Sequence, residues 1–260
     1  MKKKEWEETK SFFLDWLHET KLKELICKNI VLKGYSLWWS NLIIDKDIIY
    51  NNKWFFDLNL LLNKKKIKKT KNVFFITLLK HFCKNLIFLF LFKILFKNKL
   101  SNRNKENCYL VFYERMVNFK NFFVDPRFSL APFKNKKNNS LLVTLPFSLE
   151  TIINFAKIKK NLNLNQIDYF FLHNYITFKK FFSIYLSVFK LFLISKKIIS
   201  QKNYFIINKI DCSGTLKKLF LKSYSGEIQS TIIYALCIQE FLKKNKHKKF
   251  VNYFEFFPGS

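Results

Sequence analysis

Tyr109-Leu110-Val111-Phe112-Tyr113 is an unbroken run of aromatic and branched apolar residues, closed by the charged pair Glu114-Arg115. A run of this kind, free of glycine and proline, fits a short buried strand. Three more follow: Leu141-Leu142-Val143-Thr144, Ile167-Asp168-Tyr169-Phe170-Phe171-Leu172 and Phe250-Val251-Asn252-Tyr253-Phe254. Helical patterns over about 149–160, 176–198 and 226–244 separate the later runs. Strands alternating with helices of this length predict an α/β architecture, a Rossmann-like parallel sheet with flanking helices.

Upstream the pattern is helical. Residues 4–26 place Trp6, Phe12, Phe13, Trp16 and Leu17 close to helical spacing among Lys and Glu, and 53–62 read as a second helix. Residues 73–97 are the most apolar part of the chain, broken by Lys80, Lys84 and Lys93. That helix suits a core or a membrane-surface position better than a span. A polar stretch over 98–107 then links a mainly helical part, 1–100, to the α/β part, 101–260. Between the first two helices lies Gly34-Tyr35-Ser36-Leu37-Trp38-Trp39-Ser40-Asn41. Adjacent tryptophans point to different sides of any regular element, so Trp38 and Trp39 form either an aromatic packing hub or one wall of a cleft for sugar or lipid.

Composition narrows the function classes. The chain has 260 residues, 49% hydrophobic and 19% aromatic, which is far from a disordered composition. Its formal charge is +29, yet of 47 basic residues only Arg103, Arg115 and Arg127 are arginine. The remaining excess of Lys, Asn, Ile, Phe and Tyr matches A- and T-rich codons. Nucleic-acid readers favour the arginine fork, so the charge does not argue for nucleic acid as a partner, while the basic surface suits an anionic membrane or a phosphorylated substrate. The five cysteines are scattered without C-x-x-C spacing and with only four His, which predicts reduced, mostly buried thiols and no metal site. The four glycines, Gly34, Gly214, Gly226 and Gly259, cannot build G-x-G-x-x-G or a P-loop. No cofactor is expected. There is no signal-peptide pattern.

In open parallel sheets, ligands bind beyond the carboxyl ends of the strands. That rule selects Glu114 and Arg115 after the first run, His173 and Asn174 after the third, and Glu255 after the fourth. Glu114 and Arg115 are either site residues or an exposed ion pair. His173 is either an acid/base group or a structural histidine. Arg127, in Asp125-Pro126-Arg127, is an arginine in a lysine-rich chain, and serves as an anion or sugar contact or as the salt-bridge partner of Asp125. Ser225 and Glu227 open the last helix, where free backbone N–H groups hold an anion or merely receive a cap; Glu227 and Glu114 join His173 as the candidate catalytic groups.

Several stretches resemble one bacterial family. They are the helix ending near Trp16-Leu17-His18-Glu19 with the G-x-S-L-W-W segment at 34–39, then FVDPRFSLAPF at 123–133, LLVTLPFSL at 141–149, FFLHNYITFKKFF at 170–182, SYSGEIQSTIIYALCIQEFLKK at 223–244 and FVNYFEFFPGS at 250–260. Their order is similar to that in the N-terminal half of surface carbohydrate biosynthesis proteins, which resemble GT-B glycosyltransferases. The resemblance implies an acceptor-side Rossmann-like domain, with the nucleotide-sugar-binding half absent from this chain or encoded separately, which puts activity of the isolated chain in doubt. It implies a lipid-linked sugar acceptor, a second glycosyltransferase half as partner, and a cytoplasmic location peripheral to the inner face of the membrane. By position, Glu114, Arg127, His173 and Glu227 would line the cleft and Glu255 would lie near the interdomain hinge. Two alternatives remain: a non-catalytic membrane-surface scaffold, which needs the same basic and aromatic faces but no clustering of Glu, Arg and His, and a nucleic-acid-binding protein, which needs a continuous basic stripe with exposed aromatics.

Overall fold

The computed structural model describes residues 3–32, 35–37, 53–63, 74–96, 105–200, 204–207, 209–245 and 249–251. Trp38, Trp39 and Glu255 lie outside the described residues, and so does the side chain of Glu227. The chain divides into two compact units. One holds 1–80, 182–231 and 256–260, the other 81–181 and 232–255.

The second unit is the α/β body. Its parallel sheet is built from β3 (Asn107–Phe112), β6 (Asn139–Thr144), β7 (Asp168–Phe171) and β10 (Lys249–Val251), in the spatial order β7-β6-β3-β10. In chain order this is 3-2-1-4, the Rossmann-like arrangement, with its reversal between β3 and β10. The middle strand β6 is buried at every position, as expected of a parallel strand covered on both faces. On one face Val111, Leu141, Val143 and Phe171 join Phe88 and Phe92 from α4 (Phe74–Leu95), Phe96 just beyond its end, and Ile158 and Leu162 from α6 (Phe155–Leu164) in one core. The other face receives α9 (Glu227–Lys244), where Phe241 packs 5.7 Å from Phe170.

Each βα link has a local reason. After β6, Ser148 caps the short helix α5 (Leu149–Ile153) by accepting the Thr151 N–H at 3.2 Å. The single helix expected over 149–160 is two, parted at Asn154, which ends α5 and starts α6. The link from β3 to β6 carries no α-helix. It is a hairpin of β4 (Val117–Phe119) and β5 (Phe122–Val124), turned at Lys120 with φ 54°. Asn165, fully buried, holds that hairpin by accepting the Phe123 N–H and donating to the Phe123 carbonyl, both at 2.7 Å. At the amino ends of the strands Lys105 bonds Asp168 at 2.7 Å and the Lys137 carbonyl at 2.8 Å. Asn107 donates to Asn139 at 2.8 Å. These contacts fix the register.

The first unit is mainly helical, with a small antiparallel hairpin of β1 (Val31–Leu32) and β2 (Tyr35–Ser36) and a short helix, α8 (Lys218–Lys222). The helix expected over 4–26 is broken into α1 (Lys3–Glu19) and α2 (Lys21–Asn29), because Thr20 takes an extended conformation and its hydroxyl accepts the Leu22 N–H at 3.3 Å. α3 (Lys53–Leu62) packs on α1, where buried Asn59 donates to Thr9 Oγ1 at 2.8 Å. Among the described residues the aromatic hub of this unit is Trp16. Its ring lies 5.8 Å from Phe13 and 5.9 Å from Phe205, and its Nε1 donates to the Tyr204 carbonyl at 2.9 Å. Phe205 precedes a small hairpin of β8 (Ile206–Ile207) and β9 (Ile210–Asp211). α7 (Phe178–Ser200) begins in the α/β body and enters this unit at Phe182.

Candidate functional site

The reversal in strand order draws attention to the carboxyl end of β3. Its last residue, half-buried Phe112, sits on the α9 side of the sheet, and three side chains meet its ring. The Arg127 guanidinium carbon lies 4.9 Å from the ring centroid and that of Arg115 lies 5.6 Å away. The Tyr234 ring, from α9, stacks at 6.1 Å with planes 11° apart. Two of the chain's three arginines thus converge on one ring.

Arg127 is positioned by a turn. Asp125 precedes a proline, its Oδ1 accepts the Arg127 backbone N–H at 3.2 Å, and the Phe128 N–H bonds the Asp125 carbonyl at 3.0 Å. A carboxylate bonded two residues ahead is what an Asx turn requires. The Arg127 fork returns to the same carboxylate, Nε to Oδ1 at 2.8 Å and Nη2 to Oδ2. Asp125 also accepts the Phe112 N–H at 3.4 Å, which ties the turn to the strand end. Burial alone would raise the Asp125 carboxyl, but the Arg127 hydrogen bonds and charge, with the Phe112 N–H, outweigh it and hold the pKa below its ordinary value.

The Tyr234 hydroxyl is buried without a hydrogen-bond partner. Thr144 lies beside it and partly offsets the effect of burial on its pKa, while donating its own hydroxyl to the Val111 carbonyl at 3.3 Å. Burial drives the Tyr234 phenol far above its ordinary pKa, so it is a neutral donor. A buried hydroxyl with spare donor capacity is uncommon in a native fold, and it sets Tyr234 apart from an ordinary core aromatic.

The sequence-selected residues divide around this group. Arg115 and Arg127 are in it; Glu114 is exposed in the 3₁₀ turn Tyr113–Arg115 beside it. His173 is on the other face. It is 2% exposed and enclosed edge-on by Phe147 at 4.5 Å, Phe92 at 5.4 Å and Phe88 at 5.8 Å. Its Nδ1 has no partner, and burial lowers its pKa to about 3, so it is neutral at physiological pH. Asn174 donates to the Phe96 carbonyl, and its own carbonyl accepts Lys93 Nζ at 3.3 Å. Ser225 is buried and donates to the Lys222 carbonyl at 2.6 Å, inside its own turn rather than toward a ligand. Sequence reasoning missed Phe112 as a platform and Tyr234 altogether.

Two other features carry less chemistry. A depression of ≈ 560 Å³ along α6, lined by Ala156, Lys159, Lys160, Asn163, Leu164 and Gln166, holds cations but neither carboxylate nor histidine. No group of three His, Cys, Asp or Glu able to hold a metal occurs among the described residues. The cysteines are free thiols, and burial pushes Cys108 and Cys237 up to about 12 and Cys212 up to about 11, which leaves them protonated and inert.

Comparisons of the chain with protein-family models, with curated proteins and with solved structures give no match. The fold and the Phe112 group therefore carry the functional argument alone.

Proposed function

We propose that this chain is a glycosyltransferase-like protein of surface polysaccharide synthesis, contributing an acceptor-side Rossmann-like body whose ligand crevice lies at the carboxyl edge between β3 and β10. The observation that carries the reading is the convergence of Arg115, Arg127 and Tyr234 on Phe112 at the point where the strand order reverses. Aromatic faces suit the C–H faces of a sugar ring. A guanidinium suits a phosphate, and a lipid-linked sugar presents both. Sugar-nucleotide binding falls to a second Rossmann-like body on this reading, since four glycines build no phosphate loop here.

The test is calorimetric titration of the full chain with short-chain, water-soluble prenyl-diphosphate sugars and, separately, with sugar nucleotides. The proposal expects binding of at least one prenyl-diphosphate sugar, weakened about tenfold or more in Arg115→Ala, and none of the nucleotides. Absence of binding across the panel, or binding indifferent to Arg115, overturns it.

A specific observation favours a second reading, the non-catalytic membrane-surface scaffold. His173 is sealed among phenylalanines of the α4 side, away from the Phe112 group on the α9 side. The described residues thus supply a binding platform without a histidine base beside it. Transfer of sugar to the acceptor, measured with a sugar-nucleotide-binding partner present, separates the two readings.

A further inference from the structure

We propose that the outward face of α4 lies on an anionic lipid bilayer. This goes beyond the carbohydrate reading and does not depend on it. α4 has 22 residues, about 33 Å at 1.5 Å per residue. Phe75, Ile76, Leu79, Ile87, Phe90 and Ile94 recur along it at helical spacing, all exposed, with Phe75 at 64% and Phe90 at 56%. An exposed apolar stripe along one continuous helix marks an interaction surface.

Charge identifies the occupant. α4 contains no acidic residue, and exposed Lys80 and Lys84 flank the stripe. In the helical unit α7 packs against the first turn of α4, Phe192 stacking on Phe74 at 4.1 Å and Phe189 lying 6.3 Å from Phe75. α7 has no acidic residue either; it exposes Leu186 and Leu193 beside Lys190 and Lys197. Apolar side chains interleaved with lysine alone, on neighbouring helices, match an interface in which acyl chains lie under anionic headgroups. A second copy of the chain would instead set lysine against lysine.

The helix lies on the bilayer rather than crossing it. Although long and apolar enough to span, it turns Phe88, Leu89 and Phe92 into the core of the α/β body. Asn85 is buried on that side with its amide 3.2 Å from His81 Nδ1. A span would strip those contacts.

Cys83 is exposed within the stripe. In a Cys27→Ser background an environment-sensitive fluorophore on Cys83 reports the face directly, with co-sedimentation as the second readout. The proposal expects a blue shift and sedimentation with phosphatidylcholine vesicles containing phosphatidylglycerol, and at least tenfold weaker binding to phosphatidylcholine alone. Lys80→Gln with Lys84→Gln weakens binding roughly thirtyfold, and Phe75→Ser with Phe90→Ser abolishes the blue shift while leaving the circular dichroism spectrum unchanged. Equal binding to neutral and anionic vesicles overturns the proposal. So does sedimentation without a shift at Cys83, or a dimer in size exclusion that Phe75→Ser and Phe90→Ser dissolve.

Discussion

Arg127 closes both arms of its guanidinium on Asp125, two residues upstream, with Nε 2.8 Å from Oδ1 and Nη2 on Oδ2. Asp125 is 3% exposed and Arg127 is partly open to solvent, so the two partners differ in what their loss does. Arg127→Ala strands a buried carboxylate and is expected to cost about 2–3 kcal/mol, somewhat below the range for fully buried pairs. Arg127→Lys recovers only part of this, because an ammonium cannot make the paired contact. Chemical denaturation of the two variants checks the order.

Because that carboxyl titrates lower in the folded chain than in the unfolded one, the pair stabilises fully above the ordinary aspartate pKa of about 3.9. Its contribution is lost as pH falls below that value through the folded pKa. Asp125→Asn should flatten the acid limb of the stability curve in that window.

His173 gives a second pH signature at higher pH. Its pKa is lowered from 6.5 to about 3, so the unfolded chain takes up a proton that the folded one refuses. Stability is unaffected above pH 6.5 and declines below it by about 1.4 kcal/mol per pH unit until the folded pKa is reached. His173→Leu removes this slope. Thermal denaturation at a series of pH values, wild type against variant, measures it.

Tyr234 separates stability from binding. Tyr234→Phe deletes an orphan buried hydroxyl and is expected to be neutral or stabilising by about 1 kcal/mol. Ligand affinity falls in the same variant if a ligand oxygen takes that hydroxyl. Melting and calorimetric titration of one protein preparation read both effects.

Asn165 tests the fold itself. Asn165→Ala leaves the buried N–H and carbonyl of Phe123 without their partner, at a cost of about 2–4 kcal/mol. Hydrogen exchange should show the β4–β5 hairpin opening first.

The parallel sheet was legible because β3, β6 and β7 are short apolar runs whose interior positions carry no competing signal. What escaped depends on distant partners. The β4–β5 hairpin has no turn glycine; Lys120 adopts a positive φ, and the edge is completed by Asn165, 42 residues beyond Phe123. Tyr234 sits in Ile232-Ile233-Tyr234-Ala235-Leu236, where nothing local distinguishes a site aromatic from a core one. The Asp125–Arg127 pair was visible because both partners fall within three residues. His173 was rightly placed at a strand end, but its enclosure by Phe88, Phe92 and Phe147 arises from separate segments.

The most direct test of the central claim uses a prenyl-diphosphate sugar carrying a photoactivatable diazirine, cross-linked to the full chain and mapped by peptide mass spectrometry. The account predicts adducts on Phe112–Arg115 and on the peptide containing Tyr234, suppressed by unlabelled ligand. Adducts confined to Lys159 and Lys160 on α6, or spread over surface lysines without competition, would contradict it.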